Sequence, residues 1–73
     1  MAKEVVEAPI TGKIIDIKVK VGDKVKEEDE ICTLESMKME NPIIAPVGGK
    51  ITEIGVKVDQ VVKPGDKIAV IEY

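Results

Sequence analysis

Lys38 stands between Met37 and Met39 in the stretch Glu35-Ser36-Met37-Lys38-Met39-Glu40-Asn41-Pro42, and no other side chain has a setting so suggestive of chemistry. The other candidate nucleophile is Cys32, the single cysteine of a 73-residue chain that contains no His and no Arg. Without an imidazole there is no Ser-His or Cys-His couple, and one thiol with no His makes no ordinary zinc site. No catalytic residue and no metal ligand is therefore expected. An ordinary lysine amine has a pKa of about 10.4, so about one in 2,500 is neutral at pH 7. A lysine without a neighbouring base is an acceptor that another enzyme must activate.

The elements that position Lys38 follow from an internal repeat. Residues 8–35 align with residues 45–72 at an offset of 37 without a gap, with 14 identities in 28 positions. Ala8-Pro9 matches Ala45-Pro46, Gly12-Lys13-Ile14 matches Gly49-Lys50-Ile51, and Val19-Lys20-Val21 matches Val56-Lys57-Val58. Two copies of one supersecondary unit predict approximate twofold symmetry, each copy burying the apolar face of the other. Apolar residues alternate at Ile17, Val19 and Val21 and again at Ile54, Val56 and Val58, the period of half-buried strands. Eleven Val and eleven Ile favour pleated strands, while turn signals at Thr11-Gly12, Gly22-Asp23, Gly48-Gly49 and Pro64-Gly65 keep them short. Lys24 to Glu30 is charged enough for a helix surface, but its counterpart contains Pro64-Gly65, which breaks helices. The expected fold is all-β, a small sandwich or flattened barrel. Residues 36–44 fall between the copies as the connecting hairpin. In a strand, Met37 and Met39 would point away from Lys38; in a tight turn, Lys38 would stand at the tip.

Charge and composition exclude several partners. The net charge is -3, and the only aromatic residue is Tyr73, so neither the basic balance nor the stacking platforms of a nucleic-acid binder are present. No apolar run approaches the roughly 20 residues of a membrane span, so no membrane insertion is expected. Met1-Ala2-Lys3-Glu4 lacks an apolar signal core, and a lone Cys suits a reducing compartment, so a cytoplasmic location is expected. Cys32 aligns with Ala69, which predicts a buried structural thiol.

Glu35-Ser36-Met37-Lys38-Met39 resembles the biotin-attachment signature of biotinyl domains, and the resemblance extends over nearly the whole chain. It implies one domain over residues 1–73, a flattened barrel-sandwich of two quasi-symmetric four-stranded halves with the modified lysine in the joining hairpin. The gapless repeat leaves no room for the protruding thumb that some carriers insert. Biotin is implied as the cofactor, covalent on Lys38, with Glu35, Ser36, Met37 and Met39 read by a biotin protein ligase. The implied partners in turnover are a biotin carboxylase and a carboxyltransferase of a biotin-dependent carboxylase, decarboxylase or transcarboxylase. The chain itself would then be a carrier and not an enzyme. Where the family often has Gly, this chain has Glu28 in the first half and Asp59 in the second. Asp tolerates a left-handed turn, whereas Glu is a poor fit for that conformation.

Other readings stand beside the carrier. A lipoyl carrier would share the fold, but lipoyl domains usually place Asp before the lysine, where this chain has Met37. A free-standing attachment protein or an unmodified binding module would use the same scaffold. The plainest alternative is a solvated Lys38 beside two methionines packed in the core. The acidic run Glu27-Glu28-Asp29-Glu30 reads as a solvated loop.

Overall fold

The computed structural model describes residues 2–73; Met1, the first residue of the expected 1–73 domain, lies outside the described residues. Eight strands follow in order: β1 Lys3–Glu7, β2 Gly12–Ile17, β3 Lys24–Val25, β4 Glu30–Ser36, β5 Met39–Ile44, β6 Gly49–Ile54, β7 Val61–Val62 and β8 Lys67–Glu72. They form two antiparallel sheets, β1-β8-β6-β3 and β5-β4-β2-β7. Adding 37 to any first-half strand lands on its second-half counterpart, and the same operation converts one sheet order into the other. Each sheet thus takes two strands from each half, so the halves interlock. Among the described residues no helix is long and apolar enough to cross a membrane.

The core lies between the sheets and is aliphatic. Ile14, Ile31, Leu34 and Val25 pair by repeat with Ile51, Ile68, Ile71 and Val62, and all eight are buried. Cys32 is buried opposite in the repeat to Ala69, which is also buried. With no ring to fill volume, β-branched side chains on the pleat supply the packing.

The alternating pattern at Ile17–Val21 and Ile54–Val58 does not make strands. β2 stops at Ile17 and β6 at Ile54; Val21 and Val58 are exposed, at 61% and 51%. The reason is turn chemistry. At Lys20–Asp23 the Asp23 N–H donates to the Lys20 carbonyl at 3.0 Å, and the Lys20 N–H donates back to the Asp23 carboxylate at 3.1 Å. Lys57–Gln60 repeats this with the Gln60 amide oxygen as acceptor, at 3.0 Å. These local bonds capture the backbone before the ladder can continue.

Two more turns, Lys26–Asp29 and Lys63–Asp66, have the same reciprocal bonds. In all four the third residue has positive φ: Gly22 99°, Glu28 76°, Asp59 75° and Gly65 92°. Glu28 therefore keeps the left-handed conformation despite its side chain. Asp29 of the acidic run serves as a cap, and Glu30 accepts a 2.7 Å bond from the Thr33 hydroxyl, so only Glu27 and Glu28 are simply solvated.

Candidate functional site: the β4–β5 hairpin

β4 and β5 are the longest neighbouring pair in their sheet, in continuous register from Cys32 opposite Ile43 to Ser36 opposite Met39, with an irregularity between Glu30 and Cys32. Only Met37 and Lys38 remain to make the turn. Both are left-handed, with φ of 53° and 66°. A two-residue hairpin loop with two positive φ values has the type I′ form, which matches strand twist and usually uses Asn-Gly. Met-Lys has no such preference, and a left-handed L-residue costs roughly 1–2 kcal/mol. The flanking ladder enforces the turn: Leu34 and Ile43 anchor its stem in the core, and Asn41 Nδ2 donates to the Met39 carbonyl at 3.3 Å. β2 presses on the same stem, since a Cβ on Gly12 would lie 2.6 Å from the Glu35 carbonyl oxygen. A rigid base thus carries a strained tip.

Of the alternatives for Lys38, the tip position is the one adopted. Met37 is 92% exposed and Met39 67% exposed, so neither is a core residue. Lys38 and Glu35 are exposed and Ser36 is half-buried. All five sequence-derived site residues therefore lie together at the hairpin end of β4 and β5. Strand directions put Ala2 and Tyr73, which exchange backbone bonds of 2.7 and 2.8 Å, at the other end of a body 36 Å long.

A cross-strand row below the tip was not legible in the sequence. Glu40, Glu35, Lys13 and Val61 are successive neighbours across β5, β4, β2 and β7, all exposed. The equivalent row on the other sheet reads Lys3, Glu72, Lys50 and Lys24. Lys13 is paired with Asp59 at 3.6 Å, and Lys18 with Asp16 at 2.8 Å. A hydrogen bond and charge attraction from Lys18 lower the Asp16 pKa, and Asp16 raises that of Lys18 in return. Glu35 and Glu40 have no such partner among the described residues, so the hairpin-bearing sheet is the more acidic of the pair. The repeat offset, applied to 2–7 and 39–44 as well as to the matching segments, would have revealed the contrast.

A family model described as "Biotin-requiring enzyme" matches residues 4–71. The chain belongs to that family. It is 51% identical over 39 residues to the gamma subunit of glutaconyl-CoA decarboxylase from Acidaminococcus fermentans, covering 53% of this chain and 27% of that one. It is 44% identical over 43 residues to the biotin carboxyl carrier protein of Streptococcus mutans, covering 59% and 33%. The chain thus spans about a third or less of these curated relatives. Among solved structures, the urea carboxylase of Kluyveromyces lactis superposes with a TM-score of 0.91 at 32% identity, over 99% of this chain and 6% of that one.

The hairpin of this biotin-requiring family member presents a solvent-exposed lysine. Lys38 is exposed at the tip of a two-residue turn and is in no ion pair among the described residues. Cys32 offers no rival site: it is buried, and desolvation pushes its thiol pKa up to about 11.

Proposed function

We propose that residues 1–73 act as one cytoplasmic biotinyl domain, with repeats 8–35 and 45–72 and attachment hairpin 36–44, and that Lys38 carries biotin through an amide. The observation that carries this reading is the left-handed Met37-Lys38 turn, which holds one of eleven lysines apart from the sheets. Ten competing amines mean that a ligase must read position, and the fixed turn with two exposed methionines gives it a shaped, partly apolar surface. Glu35, Ser36, Met37 and Met39 are the residues it reads. Lys38 Nζ gives up one proton to free its lone pair and a second after attack, both taken by the ligase, while the lone pair forms the C–N bond to the activated biotinyl carbonyl and the carbonyl C–O bond to adenylate breaks. Biotin, once attached, supplies a ureido nitrogen that takes up and releases a carboxyl group. The scaffold contributes display: a rigid stem, an exposed tip, and reach to the active sites of a biotin carboxylase and a carboxyltransferase. It performs no catalysis of its own.

The intact mass of protein made alongside an active biotin ligase tests this. One biotinyl group on the Lys38 peptide is the expected result. A lipoyl adduct would make the chain a lipoyl carrier, and the bare mass would make it an unmodified module; either overturns the assignment.

A further inference from the structure

The pseudo-twofold relates the two long edge strands, β1 and β5, but their exposed edges differ in one decisive atom. Ala2 and Tyr73 exchange both backbone bonds. By the alternation of an antiparallel ladder, Glu4 and Val6 also face β8 and Lys3 and Val5 turn their N–H and C=O groups outward; past the register shift between Val6 and Glu7, both backbone groups of Ala8 bond inward to Asp66 and Gly65, which leaves those of Glu7 outward as well. On β5 the corresponding outward residues are Glu40, Pro42 and Ile44. Pro42 has no N–H, so that edge is blocked at its centre. Val5 holds the same position on β1 with its N–H intact and its side chain 46% exposed.

The β1 edge is also self-complementary. An antiparallel copy centred on Val5 sets Lys3 opposite Glu7, Val5 opposite Val5, and Glu7 opposite Lys3. Each pair would exchange two backbone bonds, and the side chains of all three residues lie on the exposed face of the sheet. Beside this edge an apolar cleft opens between β1 and β5, lined by Val5, Val6 and Pro9 from one half and Pro42, Ile44 and Pro46 from the other. A second copy would bring its own cleft against it and cover these side chains.

We propose that the β1 edge is a homodimerisation surface, through which two copies join β1 to β1 as one continuous eight-stranded sheet. The partner is a second copy of this chain because the charges and the central valine match in that register, and the β5 edge lacks both the match and the N–H. The contact leaves both Lys38 tips exposed, so it is compatible with attachment and independent of it. The interface is small and of the weak class, so sedimentation equilibrium is run from about 10 μM to about 1 mM. The mass should rise from 7.9 kDa toward twice that value across the range.

Val5→Pro should leave a folded monomer at every concentration, since the fold already holds proline at the equivalent Pro42. Lys3→Glu or Glu7→Lys alone should weaken the dimer by about tenfold, because twofold symmetry turns one change into two like-charge pairs. Lys3→Glu with Glu7→Lys should restore it, and this charge exchange decides the matter if Val5→Pro fails to fold. A single-chain mass at the highest concentration, a dimer indifferent to Val5→Pro, or a double variant no better than the single ones would each overturn the proposal.

Discussion

Glu28 and Gly65 stand 37 residues apart at equivalent turn positions and share a left-handed backbone, with φ of 76° and 92°. In the second half, Pro64 and Gly65 are the residues such a turn prefers. In the first half the same shape is imposed by its bonds. The Lys26 N–H donates to the Asp29 carboxylate at 2.8 Å, and Glu28 and Asp29 exchange backbone bonds of 2.8 Å with Ala45. These bonds hold Glu28 against a cost of roughly 1–2 kcal/mol. Glu28→Gly removes that strain, and the greater freedom of Gly in the unfolded chain takes back about 0.5–1 kcal/mol. The expected outcome is a net gain of about 0.5–1 kcal/mol, seen as a higher urea midpoint at unchanged slope. An unchanged or lower midpoint would mean that Glu28 bears no strain.

The repeat made the two halves legible from Ala8 and Ala45 onward, and the strands that matter for the site follow from it. It missed the first strand of each half because residues 2–7 and 39–44 share no identity. There only backbone pairing is duplicated, and an edge strand under a single sheet constrains side chains weakly. The interlocking of the sheets was equally hidden, since strand partners far apart in sequence leave no local pattern. Lys38 was legible because Glu35-Ser36-Met37-Lys38-Met39 resembles an attachment signature and falls between the repeats, whereas its strand or turn geometry stayed open. The exposure of Met37 and Met39 was implied by that resemblance alone, since nothing in the local pattern separates an exposed methionine at a turn from one packed in the core.

Val19 and Val56 show where pattern and structure diverge, and they make a paired test. The alternation treats them alike, yet Val56 is buried and Val19 only half-buried. Val56→Asp buries an unpaired carboxylate, at a cost of about 3–5 kcal/mol, comparable with the whole stability of a chain this size. It should be unfolded at 25 °C by circular dichroism. Val19→Asp can turn its carboxylate to water and should melt at a lower temperature but still cooperatively. Equal effects would contradict the asymmetry in burial.

Lys38→Arg should abolish biotin attachment and leave the circular dichroism spectrum and melting curve unchanged, because the side chain is exposed and in no ion pair among the described residues. Avidin blotting of protein made with an active ligase reads the first half of that statement. Persistent labelling would move the site to another lysine.

Met37→Gly separates the shape of the turn from its chemistry. Glycine accepts positive φ freely, so the variant should gain up to about 1 kcal/mol in stability while losing one of the two exposed thioethers. If the ligase reads only backbone geometry, labelling rates stay at the wild-type level. The exposed methionine predicts instead a several-fold slower labelling of a more stable protein, a combination that misfolding cannot produce.

Cys32 links stability to alkaline pH. Burial, with a smaller contribution from the Glu30 charge, raises its pKa from the ordinary 9.0 to about 11 in the folded chain. The unfolded chain therefore releases its thiol proton first. The contribution of Cys32 is fully present below pH 9, declines as pH rises above 9, and is lost as pH passes through about 11. The comparison is with Cys32→Ala, which installs the residue that the second half already has at Ala69 and leaves every other group common to the two proteins. Urea midpoints of the two proteins, followed from pH 8 upward, should converge on the alkaline side as the wild type loses its advantage. Iodoacetamide near neutral pH should leave the native thiol untouched and label it in urea. Parallel midpoint curves would show that the thiol keeps its ordinary pKa in the fold, and rapid native labelling that Cys32 is open to solvent.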